Sequence, residues 1–395
     1  MKKSTVKNLT VGSPMKLILN FLLPLLGGLL FQQLYNTADA WIVGHFRSNS
    51  EYAAVTSTGS LVFLLIGFFS GIAVGAGVVI ARYYGALSIV MYNLGMGILR
   101  AVGDSKSPLY YLIFSSLVNI GLDYLFVGVF DWGVWSAALA TSISQLLSAV
   151  LCIIRLAKGG EDYSFSFRRL RIEGPMLREV IRYGLPSGIQ NSIIAFANVV
   201  VQSNINMFHE DTVAGCGTYS KLEGFAFLPI TCYTMALTTF VSQNLGAKQH
   251  ERAKKGSVFG IVSCVIMAEL IGVVMLLFSR PLLSFFTKNE AAIDVGQRQI
   301  QVEALFFCML SFSHCIAAIM RGAGKPLIPM FVMLGAWCVL RVAYISIVVP
   351  IVGESWVIFS AYPLTWTVSS VVFLIFYLKS DWIHGFDKKA AIEQQ

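Results

Sequence analysis

Apolar runs of about 20 residues recur along the whole chain, and each can cross the ~30 Å hydrocarbon core of a bilayer as a helix. Ten full spans are legible, over 17–44, 53–81, 109–130, 134–156, 184–208, 222–245, 256–279, 300–320, 327–351 and 355–378. The runs are continuous rather than alternating, so helices are expected instead of barrel strands. Apolar residues make up 56% of the chain and charged residues 13%, with mean hydropathy +0.70. A soluble domain carries roughly 25% charge. The fold class is therefore an all-α polytopic membrane protein. The first run is read as a span and not a cleaved signal, because it is long, contains Pro24 and Asp39, and precedes no small-x-small site.

The runs form two copies of one six-helix pattern. Pro24, Asn36 and Phe46 correspond to Pro186, Asn198 and Phe208 at an offset of 162, and Gly85-Ala86 to Gly246-Ala247 at 161. Arg100, Gly103, Pro108 and Trp135 then correspond to Arg321, Gly324, Pro329 and Trp356 at 221. The offset jumps by 60 just after Ala86, and the second copy carries Lys248–Phe307 in that interval. The expected architecture is two pseudo-symmetric lobes, 1–160 and 182–395, joined by a basic linker over 161–181, with the first copy incomplete. Duplicated membrane chains commonly transport by alternating access around a site between repeats. The remnant Leu87–Val102 reaches only about 24 Å as a helix, so it is read as a non-spanning stub, re-entrant or along the inner interface. The missing helix would leave faces bearing Gly71, Gly75 and Gly77 to lipid or to a partner.

Charge placement sets topology. Of 29 Lys and Arg, 23 fall on one predicted face, leaving Arg47, Lys221, Arg280, Lys288 and Arg298 for the other and Arg341 in mid-span. This positive-inside pattern places both termini in the cytoplasm. The net charge of +8 is thereby explained without nucleic acid, and no stacking aromatics accompany it on a soluble face. The seven cysteines lie singly near apolar runs and read as buried thiols. No Walker A loop, HExxH or nucleophile elbow is present, so no enzyme is expected.

The strings LYNTADAWIVGHF, ILRAVGDSKSP, NIGLDYLF and GAGKPLIP, with the basic linker and parallel repeats, resemble the multidrug and toxic compound extrusion (MATE) transporters. The resemblance runs from about Pro24 to Leu378, broken only at the gap. It implies two six-helix lobes and export of cationic, aromatic drugs in exchange for Na⁺ or H⁺. It also implies a monomer in the bacterial plasma (inner) membrane, in contact with lipid, without nucleic acid or a further cofactor.

Ionisable groups within spans are costly, so each needs a reason. Asp39 lies in the first span and Asp123 in NIGLDYLF; Asn119 and Asp123 are four apart, on one helix face, and Thr141 lies on the next span. These oxygens suit a hard cation, or a proton acceptor. They equally fit a helix-end cap at Asp39 and local hydrogen bonds at Asp123. The resemblance matches Asp39, Asn119, Asp123 and Thr141, residue by residue, to a coupling-cation site. In the second copy Asp39 aligns with Val201 and Asp123 with Tyr344. There Gln190, Asn198, Gln202 and Asn204 line the first helix and either glue helices or touch substrate. Arg341 needs an anion, with Glu269 and Glu303 as candidates, or it joins the substrate cavity. Glu223, beside Lys221, reads as a solvated helix entry. Pro24 and Pro186 occupy equivalent places and can kink their helices. Two further readings stay open: a lipid-linked saccharide flippase, with Arg341 toward a pyrophosphate, and a transport-inactive truncated protein.

Overall fold

The computed structural model describes residues 9–46, 92–101, 103–132, 135–158 and 173–384. The predicted span 53–81, with Gly71, Gly75 and Gly77, lies outside the described residues, as do 159–172 of the linker. Among the described residues nine helices are long and apolar enough to cross a membrane. Each overlays one of the runs read from sequence, and no strand occurs among the described residues.

In chain order the helices are α1 (Pro14–Phe46), α2 (residues 92–101), α3 (Lys106–Asp123), α4 (Trp135–Ala157), α5 (Gly174–Ile205), α6 (Glu210–Gly246), α7 (His250–Leu277), α8 (Ser279–Ser284), α9 (Glu290–Glu303), α10 (Phe307–Gly322), α11 (Leu327–Met333), α12 (Arg341–Val352) and α13 (Trp356–Lys379). Two π-helical stretches interrupt this pattern, Tyr124–Val129 after α3 and Leu334–Leu340 between α11 and α12. The chain divides into two compact units, Met1–Val11 with Leu19–Glu179, and Gly12–Ile18 with Val180–Gln395. Pro24 and Pro186 both lie inside long helices, α1 and α5.

The N-terminal unit packs one face of α2 against α3 and α4. Tyr92, Met96 and Leu99, spaced along one helix face, are buried with Leu112 of α3 and Ala149, Cys152 and Leu156 of α4. Gly95 permits the approach, since a Cβ there would lie 2.8 Å from Cys152 Cβ. The described part of the stub is thus a packed helix with one buried face.

The turn after α2 recurs in the other unit. Asp104 N donates to Leu99 O at 2.8 Å and Gly103 N to Arg100 O at 2.9 Å. Lys325 N donates to Met320 O at 2.9 Å and Gly324 N to Arg321 O at 3.0 Å. Gly103 and Gly324 hold φ of 83° and 74°, the left-handed conformation that ends a helix and that glycine adopts most easily. All four positions are related by the offset of 221 found in the sequence.

In the C-terminal unit α6 starts at Glu210, twelve residues before the predicted boundary. The His209 side chain accepts from Asp211 N, and Glu210 and Asp211 place acids in the first turn, where the helix dipole favours them. Glu223 therefore lies well inside the helix, half-buried, and not at a solvated entry as the sequence reading had it. Helix α7 carries Gly256 and Gly260, one turn apart, into close contact with α6: added Cβ atoms would lie 2.1 Å from Phe240 and 2.3 Å from Leu237. After α13 a short strap folds back. Trp382 is buried and stacks on Tyr377 at 5.4 Å; Lys325 Nζ donates to Asp381 O, and the His250 ring meets Ile383 O at 3.1 Å.

Candidate functional site

Asn119 and Asp123 sit one turn apart in the last turns of α3, both fully buried at 1% and 0% exposure. Asn119 Nδ2 donates to Thr141 Oγ1 of α4 at 3.5 Å, and that hydroxyl donates to Ala137 O at 3.0 Å. Thr141 thus keeps a lone pair, and Asn119 Oδ1 is buried with no hydrogen-bond partner among the described residues. The backbone changes from α to π geometry immediately after Asp123. Such π segments re-aim side chains and are frequent at functional sites. An amide oxygen, a hydroxyl and a carboxylate, dry and clustered, form an oxygen donor set that suits a hard cation. Asp39 is carried on α1, and its side chain lies outside the described residues.

A salt bridge braces the other end of α3. Asp104 accepts from Lys106 N at 3.2 Å and Ser107 N at 3.0 Å, so its carboxylate caps the helix start. Arg155, in the last turn of α4, donates to Asp104 Oδ2 through Nε at 3.3 Å and Nη2 at 3.2 Å. This fixes α3 against α4, the two helices that carry the oxygen cluster.

The C-terminal unit solves the equivalent positions differently. Val201 is buried in an apolar cluster with Ile205, Ile345, Val349 and Phe359. Tyr344 shares a hydrogen bond of 3.0 Å with Ser360. Tyr362, at the place of Thr141, lies with its ring 4.3 Å from the Arg341 guanidinium. Arg341 is 2% exposed; its Nη2 donates to Thr365 Oγ1 at 2.9 Å, and Trp337 flanks it at 5.1 Å. Among the described residues no carboxylate lies within ion-pair distance of Arg341, but Glu303 and Glu223 interact with it electrostatically at longer range. Glu303, fully buried, accepts from Tyr219 OH and from Gln299 Nε2, each at 2.8 Å. Glu269 accepts from Cys308 N at 3.1 Å and so serves the start of α10 instead of Arg341.

The amides of α5 do not converge. Gln190 is buried, Asn198 is exposed, Gln202 donates to Asn206 Oδ1 at 2.8 Å, and Asn204 donates to Val200 O of its own helix at 2.9 Å. No hydrogen bond among the described residues joins the four to one another or to Arg341. Sequence reasoning missed Tyr219, Gln299, Thr365 and Tyr362 as members of one buried polar cluster. The available signal was the helical register of Gln299 and Glu303, four apart.

Comparison with known proteins places this fold. The sequence matches the MatE family over residues 24–89 and 186–347, and the chain belongs to that family. Its members are transporters rather than enzymes, and the chain is a multi-pass membrane protein. It is similar to the probable multidrug resistance protein YoeA of Bacillus subtilis, 25% identical over 376 residues, covering 78% of this chain and 81% of YoeA. Similarity to the probable multidrug resistance protein NorM of Thermotoga maritima is 23% over 274 residues, 67% of this chain and 58% of the relative. Among solved structures, a MOP superfamily transporter from Pyrococcus furiosus superposes with a TM-score of 0.84 at 19% identity, covering 96% of this chain and 98% of that one.

Proposed function

We propose that this chain is a secondary multidrug efflux transporter, exchanging small cationic, aromatic substrates for Na⁺ or H⁺ by alternating access between its two lobes. The observation that carries this reading is the buried oxygen cluster of Asn119, Asp123 and Thr141, whose Asn119 Oδ1 is left with an unused acceptor. Asp39 on α1 completes the proposed ligand set. A cation held there drives export only if it binds the two lobe arrangements with different affinity. The names of YoeA and NorM support a drug-type substrate. The basic loops support a bacterial plasma membrane with both termini in the cytoplasm. Arg341, which pointed to a flippase, is buried between rings and bound to Thr365.

The 60-residue step in the repeat offset supports a second reading, a transport-inactive relative. The 376-residue alignment with YoeA draws on only 78% of this chain, in keeping with a stretch that YoeA carries and this chain lacks. Drug efflux in a pump-deficient bacterial strain separates the two. The chain as it stands should export, and Asp123→Asn and Asp39→Asn should each reduce export at least about tenfold, the loss of one essential charge-assisted contact. Export only after the gap is refilled with a family segment would instead establish the inactive reading. Export that both substitutions leave untouched would remove the cation site.

A further inference from the structure

An apolar groove of about 450 Å³ runs along the C-terminal unit between α11, the π-helical segment that follows it, and α13. Leu327, Phe331, Gly335, Leu340, Val368 and Phe376 line it. From Leu327 to Leu340 the helical rise is about 20 Å, comparable to the depth of one leaflet of a ~30 Å core plus its interface. Gly335 opens its wall: a Cβ there would meet nothing within 4 Å. Leu327 and Phe331 are exposed at 53% and 61%, so the groove faces outward from the unit. Water there would find too few polar partners to be stable.

One end of the groove is basic. Lys325 lies two residues before Leu327, and the exposed Lys379 lies in the last turn of α13, three residues beyond Phe376. The strap ties the two together, because Lys325 Nζ donates to Asp381 O at 2.6 Å. The Asp381 carboxylate is itself engaged by His384 Nδ1 at 2.7 Å. An apolar trough with cationic groups at one mouth is complementary to a molecule with an anionic head and an alkyl tail.

We propose that this groove is a lipid site that holds one acyl chain of a membrane phospholipid, with its anionic headgroup against Lys325 and Lys379. The test is native mass spectrometry of the detergent-solubilised chain with phosphatidylglycerol or phosphatidylcholine added. The expected result is one retained lipid, with phosphatidylglycerol preferred by about fivefold for each lysine engaged. Gly335→Leu, whose Cβ would meet nothing within 4 Å, should fill the groove and abolish retention of both lipids. Val368→Phe blocks it from the α13 wall and gives the same loss should position 335 not tolerate a side chain. Lys379→Gln, on an exposed residue, should lower phosphatidylglycerol retention about fivefold and leave phosphatidylcholine unchanged. Equal retention of the two lipids by the parent chain would mean ordinary bilayer contact and overturn the proposal. So would full retention in a folded Gly335→Leu or Val368→Phe variant.

Discussion

The two units bury polar chemistry at related places with opposite charge. In the N-terminal unit, Asp123 ends an α-helix just before a π segment, with Asn119 and Thr141 beside it. In the C-terminal unit, Arg341 begins an α-helix just after a π segment, between Tyr362 and Trp337. Glu303, which Arg341 feels at longer range, and its partner Gln299 lie on α9, inside the Lys248–Phe307 stretch that the alignment of the two copies leaves unmatched. Asp123 lies one turn from an amide that reaches the Thr141 hydroxyl, whereas Arg341 is held by the Thr365 hydroxyl and two aromatic rings.

This contrast can be broken at several points. The largest effect is expected from Arg341→Met, which removes the charged hydrogen bond to Thr365 and the cation that Glu303 and the half-buried Glu223 feel at longer range; stability should fall by about 2–3 kcal/mol. Thermal unfolding in detergent reads it, and adding Glu303→Gln should restore at least half. An unchanged single variant would mean that the cluster does not depend on the guanidinium. Next comes Gly260→Leu, which drives a side chain into Leu237 and should cost about 1–3 kcal/mol. Gly121→Ala in the other unit, with nothing within 4 Å, should be neutral or mildly stabilising in the same assay. Asp104→Ala removes both a helix cap and the Arg155 bridge, for about 1–2 kcal/mol. Arg155→Lys should recover little of the bridge, because two guanidinium nitrogens reach one oxygen. Smallest is Tyr344→Phe, which loses one shared hydrogen bond to Ser360, about 0.5–1 kcal/mol, and should leave export unaffected, whereas Asp123→Asn at the equivalent position should abolish it.

Much of this fold is legible in the sequence, for a physical reason. A helix in lipid must satisfy its backbone internally, so each span is a long apolar run, and among the described residues nine such runs are helices. The start of α6 was hidden because Gly215, Gly217, Thr218 and Ser220 dilute the hydropathy of its first three turns. Gly215 is there because it lies against the backbone of α9, 2.6 Å from Ala292 O to an added Cβ. The Asn119–Asp123 pair was readable from helical spacing alone, and its approach to Thr141 required packing. Of the Glu303 cluster the Gln299–Glu303 register was readable, but not Tyr219, which lies 84 residues away with nothing local to link it. Glu269 and Glu303 looked alike as mid-run acids, yet one holds a backbone amide and the other a phenol and an amide side chain.

The strap after α13 has a consequence for biogenesis. Lys325 and His250 belong to turns translated well before the final helix, but their acceptors, Asp381 O and Ile383 O, follow it. The C-terminal unit cannot close these contacts until its last helix has left the translocon and entered the bilayer. A chain truncated after Lys379 would hold every span of that unit while its α6–α7 and α10–α11 turns lacked their clasp, so protease sensitivity at those turns would separate insertion from assembly.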